Sequence, residues 1–327
     1  MSIIKLLQAS EILDSRGNPT ISVFCELESG ATGDAAVPSG KSTGSHEALE
    51  LRDHDMSRYE GLGVLNAVNN INTEINNFTI NKDFNQKTLD KALIDLDGTE
   101  NKSRLGANAI LGVSMAFAKA CAKEKDLELY EYFGDLINSK NFTIPIPCLN
   151  IINGGKHANN GVDIQEFMIV LMGTQSFYGK IEMAGEIISA LREILEEHNY
   201  STNFGDEGGF APHLSTNEEA IELIEKAIDR SGHLGDEVKI ALDVAASSFY
   251  ESGFYNIKIN GEEKSLTNIE LINWYEKLVN NYSIVSIEDP LAEEDWDGFK
   301  EITKRLGDRI KIIGDDITVT NTNLIKR

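Results

Sequence analysis

Residues 284–289, Ile284-Val285-Ser286-Ile287-Glu288-Asp289, are predicted to form a short apolar strand that ends in two acids. The same design occurs at Lys239-Ile240-Ala241-Leu242-Asp243 and at Ile310-Lys311-Ile312-Ile313-Gly314-Asp315-Asp316. Helical patterns at residues 268–279 and 296–306 separate these strands. Such alternation predicts a parallel sheet, either doubly wound or closed as a barrel. Because the carboxyl ends of parallel strands share one face, we expect the acids to converge there.

The acidic strand ends predict a metal site. Asp243, Glu288 and Asp315 offer only carboxylate oxygens, the ligands that Mg²⁺ and Mn²⁺ prefer. The alternative is that each acid caps the helix that follows its strand. A single acid would favour capping, whereas three in succession favour a metal site.

The first part of the chain has a different pattern. Strand patterns at residues 20–27 and 33–37 precede a long helical region, and strands followed by helices predict an α+β domain. Two prolines after residue 141 indicate a boundary, so we predict an α+β domain over residues 1–140 and a (β/α) barrel domain over residues 141–327. A complete barrel typically needs about 250 residues. A barrel in this region is therefore expected to be incomplete at its C-terminus.

Two glycine-containing loops carry further candidates. Gly205-Asp206-Glu207-Gly208-Gly209 places Glu207 between glycines, where a carboxyl can act as general acid or base. The alternative is an acidic surface turn. Asn153-Gly154-Gly155-Lys156-His157 places His157 in a similar loop. A lone histidine is more often structural than catalytic, so both interpretations stay open.

A third loop, Pro38-Ser39-Gly40-Lys41-Ser42-Thr43-Gly44, nearly matches the phosphate-binding pattern GxxxxGK[ST]. Ala35 stands where that pattern has its first glycine, and Pro38 removes a backbone donor. The sequence therefore favours a mobile loop that brings hydroxyl groups to a metal or a phosphate. A nucleotide-binding P-loop and a plain surface loop remain alternatives.

Charge and composition exclude several classes of protein. The net charge of −23 argues against a nucleic-acid partner and against an anchor to anionic membranes. No stretch approaches the roughly 18 apolar residues of a membrane span, and the first residues lack the features of a signal peptide. The three cysteines form no CxxC pair, so neither a disulfide framework nor a zinc site is predicted. We therefore predict a cytoplasmic protein.

Ordered motifs run along the whole chain and together resemble one family. They lie at residues 14–20, 39–44, 47–53, 105–110, 150–155, 165–168, 205–212, 241–245, 286–290 and 314–316. In this order they resemble the enolase (phosphopyruvate hydratase) family. The resemblance implies an N-terminal α+β domain, followed by an enolase-type barrel that begins irregularly. It also implies a homodimer and a glycolytic lyase that interconverts 2-phosphoglycerate and phosphoenolpyruvate with two Mg²⁺ ions.

The resemblance also implies roles for individual residues. Asp243, Glu288 and Asp315 match the ligands of the first Mg²⁺, and Ser42 matches a loop residue that helps to bind the second. Glu207 matches the acid that protonates the leaving hydroxyl, assisted by Glu166. His157, Gln165, Glu166, Glu288 and Asp315 match residues around the substrate.

The chain departs from the family pattern in two ways. Lys41 and Lys156 stand where the family usually has alanine and a small or acidic residue. The family's catalytic base is a lysine that follows the third metal ligand, and the resemblance places it beyond residue 327, so we expect the chain as given to turn over slowly or not at all. The competing hypotheses are a nucleotide-binding P-loop protein and a catalytically inactive enolase-like fragment.

Overall fold

The computed structural model describes residues 1–40, 44–158, 160–173, 176–205, 207–233 and 236–327. The chain divides into two units, Met1–Thr143 and Ile144–Arg327, and each unit has its own hydrophobic core. Lys41 and Ser42, two residues singled out by the sequence, lie outside the described residues.

The first unit is an antiparallel sheet packed against helices. Its strands are β1 (Ser2–Leu13), β2 (Pro19–Leu27), β3 (Thr32–Ala36) and β4 (Asp83–Phe84), in the order β3-β2-β1-β4. Its helices are α1 (Leu65–Asn70), α2 (Asn76–Thr79), α3 (Gln86–Asp97), α4 (Ala107–Glu124) and α5 (Leu129–Leu136), with a π-helical turn at Ile71–Ile75 between α1 and α2. Strands that precede most of the helices confirm the predicted α+β class.

Period-two alternation explains how this sheet meets α4. On β2, alternate residues from Ile21 to Leu27 are buried, and Val23 lies against Gly112 of α4. A side chain at Gly33 of β3 would collide with the backbone of α4. Glycine is therefore required at Gly33 so that the helix can pack directly on the sheet.

The described residues of the second unit form two sheets and five α-helices. Its strands are β5 (Cys148–Asn153), β6 (Glu166–Leu171), β7 (Val238–Asp243), β8 (Tyr250–Glu251), β9 (Phe254–Ile259), β10 (Glu262–Leu266), β11 (Ile284–Glu288) and β12 (Lys311–Ile313). Its helices are α6 (Phe177–Glu197), α7 (Asn217–Arg230), α8 (Asn268–Asn281), α9 (Trp296–Leu306) and α10 (Thr322–Ile325). Among the described residues of the chain, no helix is both long enough and apolar enough to cross a bilayer.

The larger sheet confirms one part of the predicted topology and corrects another. Its order is β12-β11-β7-β6-β5, and β7, β11 and β12 are parallel, as the sequence predicts. The parallel pattern predicted from the alternation of strands and helices does not extend to the start of the sheet, because β5 and β6 are antiparallel and so are β6 and β7. This start agrees with the irregular beginning that the family resemblance implies. Two helices, α6 and α7, connect β6 to β7 and return the chain to the end of the sheet where β6 finishes, so β7 runs antiparallel to β6. The three-stranded sheet of β8, β9 and β10, which lies between β7 and α8 in the chain, was also not predicted.

Candidate active site

One row of residues crosses the larger sheet at the end where β7 and β11 finish. The strand register pairs Asn153 with Glu166, Glu166 with Asp243, and Asp243 with Glu288. Residues paired in register project to the same face, with Cβ atoms about 5 Å apart. Because β6 is antiparallel and begins at Glu166, its first residue lies beside the last residue of β7. The antiparallel start of the sheet therefore adds a third acid to the two at the parallel strand ends. We call Glu166, Asp243 and Glu288 the acidic row.

The pKa of Glu288 is raised further than that of Asp243. Burial raises the pKa of Glu288 to about 8, and the charges of neighbouring carboxylates add to this effect. Those neighbours are Asp243, Asp289, Asp315 and Glu166. Asp315, which follows β12, is thus brought near the row although it is not in register with it.

The pKa of Asp243 is also raised, but hydrogen bonds to its carboxylate oppose the rise. Burial and the charge of Glu166 raise the pKa of Asp243 to about 6. Opposing this, Gln165 Nε2 donates to Asp243 Oδ2 at 3.2 Å, and the backbone N–H of Ala245 donates to Asp243 Oδ1 at 3.1 Å. The crowding of these carboxylates opposes ionisation, and a bound cation would relieve it.

The carboxylate of Asp289, unlike that of its neighbour Glu288, binds the backbone of a turn. Its Oδ1 accepts from the backbone N–H of Asp315 at 3.1 Å, and its Oδ2 accepts from the backbone N–H of Asp316 at 2.9 Å. Asp289 is buried and has a positive φ of 40°, an uncommon backbone conformation for aspartate. Asp289 therefore does not cap the helix that follows its strand, since Asp295 is the N-cap of α9. It holds the turn that carries Asp315 instead.

The loop between β5 and β6 brings His157 and Gln165 to the row. His157 lies in a 3₁₀ turn, and its Nδ1 is 3.3 Å from Glu166 Oε1. This contact does not meet the geometry of a hydrogen bond. Among the described residues, neither His157 Nδ1 nor Gln165 Oε1 has a hydrogen-bond partner, although both atoms are buried. The loop can turn this tightly because Gly155 adopts a φ of 50° and a side chain at Gly154 would collide with Val162. Buried polar atoms without partners beside a row of acids are groups that a ligand can satisfy.

The loop that carries Glu207 is fixed next to β5. The backbone N–H of Phe210 donates to Ile151 O at 2.9 Å, and the N–H of Asn153 donates to Phe210 O at 2.8 Å. The Asn153 side chain adds a bond from its Nδ2 to Gly209 O at 3.2 Å. Glu207 itself is exposed. Residues 209 and 210 thus hold the loop at the Asn153 end of the row, while the side chain of Glu207 is exposed to solvent.

The acids fit a hard divalent cation by chemistry but do not form a ready-made coordination sphere. Within the part of the chain that the structure describes, no three Asp, Glu, His or Cys side chains are arranged so that they could together hold a metal ion. The donors near the row are nonetheless carboxylate oxygens, as Mg²⁺ requires. Ser42, the fourth residue assigned to metal by the sequence, lies outside the described residues.

The sequence did not identify two contributors to this region, Asn153 and Asp289. Nothing in the pattern indicated that Asn153 ends a strand in register with Glu166 or that Asp289 binds a turn. Lys156 was singled out as a departure from the family pattern, but its neighbours were not predicted. Lys156 is exposed, and its charge opposes the burial and the acidic neighbours that raise the pKa of Asp316. Lys156 therefore lies on the same side of the sheet as the acids after β12.

Comparison with family models accounts for both units. A model described as the enolase N-terminal domain matches residues 4–133, and a model described as the enolase C-terminal TIM barrel domain matches residues 141–327. The chain belongs to the enolase family. Its domains are those of a lyase of the enolase superfamily, and the fold prediction of an α+β domain followed by an enolase-type barrel domain is confirmed.

Enolase membership also bears on the alternative hypotheses. The match to the enolase N-terminal domain includes the loop of residues 38–44. That loop therefore belongs to an enolase domain, and the P-loop hypothesis has no support beyond its partial motif.

Proposed function

We propose that the protein catalyses the Mg²⁺-dependent, reversible dehydration of 2-phosphoglycerate to phosphoenolpyruvate. Membership of the enolase family supports the reaction class. The observation that carries the proposal is the acidic row, whose partly buried carboxylates face one another across adjacent strands. Carboxylates crowded in this way are costly to keep ionised unless a cation binds.

The proposed metal ligands are the acids at the strand ends. Asp243, Glu288 and Asp315 would hold one Mg²⁺, and Ser42 would help to hold a second. A bound divalent cation supplies positive charge at the substrate carboxylate, where negative charge develops when the α-proton leaves.

The side chains around the row have proposed roles in binding and in proton transfer. His157 Nδ1 and Gln165 Oε1 are buried, and the residues that the structure describes offer them no hydrogen-bond partner, so they would bond the phosphorylated substrate. Glu166, Glu288 and Asp315 would border the same substrate. Glu207, assisted by Glu166, would donate a proton to the departing hydroxyl.

Proton abstraction is not assigned to a residue of this chain. Lys239 and Lys311 lie at the amino ends of β7 and β12, away from the acids at the carboxyl ends. The exposed Lys156 lies beside Asp316 but has no contact that marks it as a base.

The test is the ultraviolet absorbance of the enol product, measured with the protein expressed from its complete natural coding sequence. We expect product from 2-phosphoglycerate with Mg²⁺ and none after chelation. Loss of activity in Glu288→Gln but not in Glu196→Gln, an exposed acid on α6, would support the assignment. Turnover that persists without divalent cations would contradict it. Mg²⁺-dependent stabilisation without any turnover would instead favour the catalytically inactive enolase-like protein.

Family membership supports two further proposals. We infer a homodimer, which sedimentation at micromolar concentration would test, and a cytoplasmic location, which fractionation of the source cells would test. A monomer at all concentrations, or recovery with membranes, would contradict them.

A further inference from the structure

A second polar network lies where the loop of residues 154–165 meets α7 and β9. Asn217, the first residue of α7, is fully buried. Its Oδ1 accepts from the backbone N–H groups of Asp163 at 2.9 Å and Ile164 at 3.2 Å. Its Nδ2 donates to Asp163 Oδ2 at 3.1 Å and to Lys258 O at 3.1 Å. The amide of Asn217 thus uses all four of its hydrogen-bonding positions and is fixed in one orientation.

Asp163 completes the network. Its Oδ2 also accepts from the backbone N–H of Lys258 at 2.9 Å. The loop is therefore tied both to the start of α7 and to β9, the middle strand of the smaller sheet. Asn217 is buried and Asp163 is half-buried. Displacement of either side chain would leave the hydrogen-bonding groups of the other without partners, so the network resists movement of the loop.

The network lies directly before the proposed substrate contacts. Gln165 follows Ile164 in the chain, and its carbonyl accepts from the backbone N–H of Gly154 at 2.9 Å. The N–H of Gly155 donates to Val162 O at 3.0 Å. The two arms of the loop therefore hold each other, and His157 lies in the segment that they enclose.

We propose that Asn217 and Asp163 are positioning residues that set the locations of His157 and Gln165 for the phosphorylated substrate. This inference rests on the proposed function, because it takes those two side chains as substrate contacts. Misplacing a binding group by about 1 Å can cost up to about 10²-fold in rate. The network can therefore affect catalysis although it lies outside the acidic row.

The test compares two substitutions of nearly equal size. Asn217→Asp places a second carboxylate against Asp163 and removes two donors, so KM for 2-phosphoglycerate should rise at least about tenfold. Mg²⁺ affinity, measured by calorimetry without substrate, should stay within about twofold. Asp163→Asn should have a small effect, because one amide oxygen can replace Oδ2 for both of its donors. Added to Asn217→Asp, Asp163→Asn should recover part of the loss by removing the repulsion.

Asn268→Asp is the matched control. Asn268 is the first residue of α8, and its Nδ2 donates to Asp295 at 3.2 Å, so this substitution also sets two carboxylates against each other at the start of a helix. It does not touch the loop. An equal rise of KM in Asn268→Asp, or a fall of Mg²⁺ affinity in Asn217→Asp to the same extent as the loss of activity, would overturn the positioning role.

Hydrogen exchange separates this inference from the proposed function. Asn217→Asp should speed exchange in the peptide of residues 154–165 while leaving α9 unchanged. If the natural protein does not turn over 2-phosphoglycerate, the proposed function fails. The exchange measurement still tests whether Asn217 and Asp163 hold the loop of residues 154–165 in place. Unchanged exchange in the loop would overturn the inference whether or not the protein is active.

Discussion

Each of the two units contains a buried or partly buried acid, and the two environments have opposite effects. Asp97, in the first unit, is the last residue of α3 and is 3% exposed. Burial opposes its ionisation, but hydrogen bonds outweigh burial and hold the pKa of Asp97 below its usual value. Its donors are the backbone N–H of Leu105 at 2.7 Å and Thr99, through its backbone N–H at 3.0 Å and its hydroxyl. Asp97 is therefore a satisfied structural carboxylate.

Glu288, in the second unit, has the opposite surroundings. Burial and the charges of four other acids all raise the pKa of its carboxyl. The difference between Asp97 and Glu288 teaches that burial alone does not indicate a functional acid. The informative combination is burial and like-charged neighbours at a carboxyl that is not already used to bind the backbone. Asp289 is also buried beside acids, and its pKa is raised to about 7, but two backbone N–H groups donate to its oxygens.

The largest expected effect comes from neutralising the crowded acid. Glu288→Gln should lower turnover of 2-phosphoglycerate by on the order of 10²–10³-fold, because a charge that stabilises the transition state is lost. The rise in melting temperature on adding Mg²⁺ should disappear, since stabilisation by a ligand follows its affinity. The free energy of unfolding of the metal-free protein should increase, because one source of repulsion is removed.

The control for this variant is Glu196→Gln, which should leave all three quantities unchanged. If Glu288→Gln lowered the free energy of unfolding of the metal-free protein, Glu288 would be a stabilising acid like Asp97, and the proposed difference between the two acids would be wrong.

The next effect in size tests the satisfied acid. Asp97→Ala leaves the buried N–H of Leu105 and the donors of Thr99 without an acceptor, so the free energy of unfolding should fall by about 3 kcal/mol. Urea denaturation measures this change. The effect of Mg²⁺ on stability should stay as in the natural protein. A change in Mg²⁺ affinity would contradict the assignment of Asp97 as purely structural.

The next prediction concerns Asp289, which we expect to affect Mg²⁺ binding by holding the Asp315–Asp316 turn in place. Asp289→Asn keeps one oxygen for one of the two N–H groups of the Asp315–Asp316 turn and turns a donor toward the other. We expect Mg²⁺ affinity to fall about tenfold, as for other groups that orient metal ligands. Calorimetry with Mg²⁺ alone measures it. Unchanged affinity would show that the turn holds Asp315 without Asp289.

Sequence patterns predicted the elements better than their directions. The strand ends at Asp243 and Glu288 and the helix at residues 296–306 are found where the apolar periodicity puts them. Periodicity does not encode whether a strand runs up or down, so the antiparallel pairing that places Glu166 beside Asp243 was not predicted.

The candidate site was predictable to the extent that its residues lie at strand ends or between glycines. Glu288 and Asp289 are adjacent acids at the end of one strand, and the sequence could not tell the proposed ligand from the residue that binds the turn. That distinction depends on two backbone N–H groups that belong to residues 26 and 27 positions away. Asn217 gave no signal for the same reason, since its partners at Asp163 and Lys258 are distant in the chain.

The smallest expected effect is a dependence of stability on pH whose sign differs between Glu288 and Asp97. The raised pKa of Glu288, about 8, means that the folded protein binds more protons than the unfolded chain between roughly pH 4.5 and pH 8. Stability of the metal-free protein should therefore rise as pH falls from 8 to 6. At about 1.4 kcal/mol per pKa unit the unscreened rise would be about 2 kcal/mol, and solvent screening of this partly exposed carboxyl reduces the expected value to about 1 kcal/mol. The lowered pKa of Asp97 acts in the other direction, and its contribution is lost only as pH falls below about 4. Urea denaturation in a chelator at pH 8, 7 and 6 measures the slope. Glu288→Gln should reduce the slope, with a remainder from Asp289 and Asp243, whose pKa values are raised to about 7 and about 6, while Asp97→Asn should leave it unchanged. Mg²⁺ should counteract the trend, because binding requires ionised carboxylates and weakens on acidification. If the natural protein and Glu288→Gln had equal slopes, the groups that titrate in this range would lie elsewhere, and the crowded acids would not differ from Asp97 in the way that the structure indicates.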